Sequence, residues 1–179
     1  MGTTISDIER KLLEARAQRL AAPIERQQQK SHAHALLLFN SVDTNFAIQL
    51  SHVEAVMRIA DIFPIPHTPA HISGVIRRHG QTFALVNLRR FFYPQTEGLI
   101  DEDFAIVATI HRKTIALQVT EIEGVTQLSQ ARFLPPPENL DKALAPYVTH
   151  TTAQGLLLLD LSALVLAEGF GTTKIEGAP

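Results

Sequence analysis

Histidines and charged turns are the side chains of this sequence best equipped for chemistry. The chain has 179 residues and eight histidines. His67 and His71 stand four apart, a spacing that on a helix sets two metal ligands on one face. Pro66 and Pro69 break any continuous helix there, and no second motif of the metalloprotease kind accompanies the pair. His32 and His34 belong to a polar stretch where solvated side chains are expected, and His79 stands at a turn. The acidic run Asp101–Asp103 could hold a hard cation, but an oxygen cage for calcium needs six or more ligands, so a solvated loop is expected. Two basic turns remain: Arg77, Arg78 and His79 in one, His111, Arg112 and Lys113 in the other. Such turns suit contact with protein or with single-stranded nucleic acid.

Composition narrows these options. There is no cysteine, which removes disulfides, thiolate zinc sites, iron–sulfur clusters and cysteine nucleophiles. Net charge is −2 and aromatics make up 6% with no tryptophan, a poor endowment for a dedicated nucleic-acid binder. Hydrophobic residues reach 45%, enough for a packed core. No phosphate loop, dinucleotide fingerprint or nucleophile elbow is present. No apolar run approaches the roughly 18 residues a membrane span needs.

The elements that must carry these residues follow from periodicity. Ser6 and Glu9 form a capping box, and Ile8, Leu12, Leu13 and Leu20 recur at helical spacing up to Pro23, predicting an amphipathic helix over 6–22. Residues 25–34 are polar and aperiodic, a linker closing an N-terminal unit of 1–34. From Ala35 the chain breaks into short apolar runs between turns, the texture of an all-β sandwich or barrel. "LRRFF" (88–92) and "LSALVLA" (161–167) read as short helices, and 171–179 as a flexible tail.

Residues 46–59, "FAIQLSHVEAVMRI", lie on 115–128, "IALQVTEIEGVTQL", without a gap. Gln49 meets Gln118 and Glu54 meets Glu123, and each copy is followed by a proline-rich connection, a strand, a glycine turn, a strand and a short helix. Alternation alone explains the apolar matches but not the shared Gln and Glu. An internal duplication is expected: two similar small β-barrels, each too small to bury a good core alone, packed together.

The stretch "PIPHTPAHISGVIRRHGQTFALVNLRRFF" resembles the signature of the CheW-like domain family, the coupling proteins of bacterial chemotaxis. Pro66, Pro69, Ile72, Gly74, Val75, Gly80 and Leu88 carry the match, supported by "LPPP" before "YVTH" and by "LLLLDLSAL". The resemblance spans about 36–166 and implies two intertwined five-stranded β-barrels over 35–170, the second centred on about 104–160, in a cytoplasmic, non-enzymatic adaptor without cofactor or metal. Its implied partners are the regulatory domain of a CheA-type histidine kinase and the cytoplasmic tip of a methyl-accepting chemoreceptor, in chemotaxis or a type IV pilus pathway. Nucleic acid and membrane insertion are not expected. Protein contact is expected at Val53, Val56, Arg58, Ile59, Arg77, Arg78, His79 and Gly80, with a receptor helix in the groove between barrels. A nucleic-acid-binding β-barrel and a metal-dependent hydrolase are the alternatives. The chain departs from the family pattern at His79, Ala84, Asn87 and His150, and the acid Glu54 is displaced by one position.

Overall fold

The computed structural model describes residues 33–95 and 102–167. The helix expected over 6–22 and the tail 171–179 lie outside them. Ten strands occur in chain order: β1 (Ala33–Ser41), β2 (Thr44–Gln49), β3 (Val53–Arg58), β4 (Ile72–Arg78), β5 (Gln81–Asn87), β6 (Phe104–Ile110), β7 (Lys113–Val119), β8 (Glu121–Ser129), β9 (Val148–Thr151) and β10 (Leu157–Leu159). Two short helices follow the strands that precede them directly, α1 (Leu88–Phe92) and α2 (Leu161–Leu166).

Three hairpins turn through two residues with positive φ. These are Val42 and Asp43 (59° and 55°), His79 and Gly80 (48° and 77°), and His111 and Arg112 (49° and 65°). Two consecutive left-handed residues define the turn whose twist matches paired strands. Each short helix starts on a side-chain cap: Asn87 accepts from the Arg90 N–H, and Asp160 accepts from those of Ser162 and Ala163.

The strands form two five-stranded sheets, ordered β8-β1-β2-β10-β9 and β3-β6-β7-β5-β4. The duplication is visible in both. Replacing every strand of one order by its repeat equivalent generates the other. The registers agree as well: Leu37 faces Ile48 in the β1–β2 ladder, and Ile106 faces Leu117 in β6–β7. The bulges fall at matching places too, leaving Glu123 unmatched between β8 and β1 and Glu54 unmatched between β3 and β6. The shared glutamates of the repeat are thus the extra residues of two equivalent bulges.

Neither sheet is built from one half of the chain alone, as a simple tandem repeat would have it. Each takes a hairpin from one half of the chain and three strands from the other. The two expected barrels are seen as two five-stranded sheets, neither closed by a ladder among the described residues. Their edge strands, β3 with β4 and β8 with β9, share no ladder. The proline-rich connections run along these edges instead, each making one isolated bridge, Phe63 to Val75 and Leu134 to Thr151. Prolines lack the N–H that a continued ladder requires.

The main core lies between the sheets. Phe39, Phe46 and Ile48 from one meet Ile106, Leu117 and Val86 from the other, joined by Phe92 and Leu164 of the short helices. A smaller cluster of Ile76, Phe83, Leu85, Ala105, Val107 and Ala116 is contributed by β4, β5, β6 and β7 of one sheet.

Candidate functional site

β3 alternates. Glu54, Val56 and Arg58 are exposed, whereas Val53, Ala55 and Met57 are half-buried. Val56 is 41% exposed, unusual for a large aliphatic side chain in a strand. Arg58 pairs with Asp103 at 3.1 Å and sits 5.6 Å over the Phe104 ring. Both charges are well exposed, so the pair contributes about 0–1 kcal/mol. Ile59 is half-buried, and its N–H donates to the Asp103 carbonyl at 2.7 Å. Of the four residues on and just after β3 expected to meet a partner, Val56 and Arg58 face outward, and Val53 and Ile59 are half-buried.

Arg77, His79 and Gly80 are exposed at the β4–β5 hairpin, and Arg78 is half-buried. By strand order β3 and β4 are opposite edges of one sheet. The sheet coils enough that Met57, Ile59, Phe63, Ile76 and Arg77 line one depression of about 240 Å³. Ile59 and Arg77 therefore border the same depression, although β3 and β4 do not pair. The connection beside them adds a feature absent from the expected contact residues: Ile62, Phe63 and Ile65 are 37%, 50% and 39% exposed. Its signal is in the sequence, where "DIFPIP" alternates large apolar residues with prolines that cannot enter a ladder.

His67 and His71 lie in the same connection, which holds no helix, so the shared ligand face does not exist there. His67 has φ 62° at an exposed turn, and the His71 ring stands edge-on to Phe91 at 5.4 Å. His34, expected in a solvated linker, is in β1 instead. Its ring and that of His150 flank Phe133 at 5.5 Å and 5.6 Å.

The acidic run is also not simply a solvated loop. Asp101 lies outside the described residues, Asp103 pairs with Arg58, and Glu102 is 7% exposed. The Asn87 side-chain amide donates to the Glu102 carboxylate, while Ser73 donates to Gln118 Oε1 at 2.6 Å and Gln118 Nε2 to the Glu102 carbonyl at 3.1 Å. Asn87 thereby accounts for one departure from the family pattern: an aspartate there would set two carboxylates against each other, whereas an amide donates. Burial raises the Glu102 pKa above its ordinary value, opposed by the charge of Arg89, the Asn87 hydrogen bond and the charge of Arg90.

A raised acid pKa means that the folded state holds its proton more tightly than the unfolded one. Stability from this group is then greatest below the unfolded value and falls as pH rises through the folded one. Glu102→Gln keeps an acceptor for Asn87 and removes the charge. It should stabilise the protein by about 1 kcal/mol at pH 7.5. In urea denaturation the gain should shrink towards pH 4; a gain that grows on acidification would contradict a raised pKa.

Comparison with known proteins follows this geometry. The model of the CheW-like domain matches residues 35–168. A chemotaxis protein CheW of Treponema pallidum (strain Nichols) is 22% identical over 136 residues, covering 72% of this chain and 80% of that protein. A probable chemotaxis protein CheW of Rhizobium etli is 23% identical over 146 residues, covering 80% of this chain and 91% of its own. Among solved structures, the scaffolding protein TtCheW of Thermoanaerobacter tengcongensis superposes with a TM-score of 0.64 at 20% identity, over 80% of this chain and 97% of that one.

Proposed function

The chain belongs to the CheW-like domain family, and from that premise we propose that it is a non-enzymatic adaptor coupling chemoreceptors to a CheA-type histidine kinase in the cytoplasm. The observation that carries the docking role is the exposed apolar set Val56, Ile62, Phe63 and Ile65 on and after β3, next to Arg77. Among the described residues no helix is long and apolar enough to cross a membrane. Exposed aliphatic and aromatic side chains beside a local cation fit a protein partner better than a solvated surface.

In this reading the apolar side chains anchor the kinase's regulatory domain, and the receptor's helical tip lies in the groove between the two sheets. A few well-packed positions dominate most interfaces, whereas exposed charges mainly set encounter rate and salt dependence. Val56→Asp should therefore weaken kinase binding about 30-fold, a loss near 2 kcal/mol. Arg78→Ala should weaken it less than about fivefold. Calorimetric titration against the cognate regulatory domain checks both, with unfolding midpoints to show that each variant folds. Equal and small effects would place the kinase on another surface.

A further inference from the structure

Two adjacent residues, Glu102 and Asp103, serve different neighbours. Asp103 holds the β3 edge: its carboxylate pairs with Arg58 at 3.1 Å, and its carbonyl accepts from the Ile59 N–H at 2.7 Å. Glu102 is held in the buried polar site beside α1, where the Asn87 side chain donates to its carboxylate. The same Asn87 side chain accepts from the Arg90 N–H at 2.8 Å and so caps α1. α1 in turn reaches the other sheet. Arg89 stands 3.6 Å from Asp43 at the β1–β2 turn, and the Phe92 ring stacks on Phe46 of β2 with centroids 6.1 Å apart. Polar contacts thus run from the β3 docking edge, through two neighbouring residues, to the helix that closes the inter-sheet core.

The duplication shows that the fold does not require this acid. Arg58 faces Phe104 in the β3–β6 ladder as Gln127 faces Ala35 in β8–β1, which makes Ala35 the counterpart of Phe104. Ala33 then takes the place of Glu102, and His34 that of Asp103. The other sheet therefore forms with a methyl group where Glu102 stands. Holding Glu102 in place also has a cost. The residue is 7% exposed, and its Oε1 has no hydrogen-bond partner among the described residues. A carboxylate oxygen buried without a donor opposes burial of the whole group. An acid that the fold does not need, kept at a cost between a docking edge and a helix cap, is placed to position its neighbours.

We infer that Glu102 is a positioning residue: seated on Asn87, it holds Asp103 against β3 and makes the shape of the docking edge depend on the α1 cap. This inference deepens the docking reading above and takes its functional meaning from it. With Glu102 seated, Ile59 keeps its place in the depression lined by Met57, Phe63 and Ile76, and Arg58 keeps its ion pair. With Glu102 released, Asp103 no longer fixes either residue, and the edge loses its docking shape.

Asn87→Asp in the full chain tests this at a distance, because the side-chain hydrogen bonds of Asn87 go to Glu102, Gln118 and Arg90 and none to β3. Aspartate keeps the helix cap, as Asp160 does at α2, but sets two carboxylates against each other and unseats Glu102. Amide exchange followed by NMR should then speed about tenfold at Ile59 relative to the slowest core amides. Adding Glu102→Gln restores a donor to the pair and should return Ile59 to within about twofold of the wild type. Affinity for the cognate kinase's regulatory domain should follow, about fivefold weaker in Asn87→Asp and recovered in the double variant. Glu102→Ala, which copies Ala33, gives the same tenfold reading if Asn87→Asp does not fold. A purely structural role would speed Ile59 and the core amides together. That result, an unchanged Ile59 rate, or no recovery in the double variant would each overturn the inference. A wild type that does not bind the regulatory domain overturns the docking reading instead, and the exchange rates still decide whether Glu102 positions β3.

Discussion

A fragment ending at residue 95 should not fold on its own, and neither should one beginning at residue 96. Read as a simple tandem repeat, each half would be self-sufficient. The observed strand order makes each half dependent on the other: β6 and β7 stand between β3 and β5, and β1 and β2 stand between β8 and β10. Removing the second half leaves β3 and β5 about 14 Å apart, three strand spacings, with no partner between them. It also strips the inter-sheet core, where Phe46 and Ile48 lose Ile106 and Leu117. Circular dichroism and amide shift dispersion should show each fragment unfolded, and mixing the two should restore strand content. A half that melts cooperatively alone would refute the exchanged arrangement.

Gly74→Ala should be the most damaging single change in the proline-rich region, lowering stability by about 3 kcal/mol and the midpoint by about 8 °C. Gly74 has φ +143°, and a Cβ there would stand 2.4 Å from the Phe63 carbonyl oxygen and 2.9 Å from its carbon. Phe63 cannot retreat cheaply, because it exchanges two backbone hydrogen bonds with Val75 at 2.9 Å and 2.8 Å. Gly80→Ala is the control. Its φ of +77° is also left-handed, but nothing lies within 4 Å of the added carbon, so about 1 kcal/mol of conformational cost is expected. Equal midpoint shifts for the two variants would show that the connection moves freely over β4.

Much of this was legible in the sequence, for identifiable reasons. The strand "ISGVIRR" is closed by the turn that follows it, and the short helices begin directly behind the caps Asn87 and Asp160, the second ending one residue before the expected 161–167. The repeat was legible because Gln49 and Gln118 take equivalent places and Glu54 and Glu123 mark equivalent bulges. Which strands are exchanged was not. Alternation reports which face a residue buries, not which strand lies beside it, and the central strands obscure even that: Leu36 and Leu37, neighbours in β1, are both buried. Glu102 was misread for a related reason. A carboxylate between two acids looks solvated, and its partners Asn87 and Gln118 are distant in sequence. On the proposed docking surface, Val56 and the hairpin arginines are expected from the sequence, whereas the 50% exposure of Phe63 is not, because no alternation marks its face in a proline-rich connection.

The exchange of strands also sets the order in which the molecule can assemble as it is made. The β1–β2 hairpin is local and complete once residue 49 has emerged, yet β1 pairs Ala33 with Ser129 on its other side. At about 5–20 residues per second, the ribosome takes roughly 4–16 s to deliver that partner. Throughout that interval β1 presents a free strand edge, with Leu36 and Leu37 among its side chains. A nascent chain in that state is a substrate for holding chaperones, and two of them on one message have the means to pair wrongly. Slowing translation between residues 50 and 129 should therefore raise the aggregated fraction, whereas a delay beyond residue 167 falls after the last strand has been delivered.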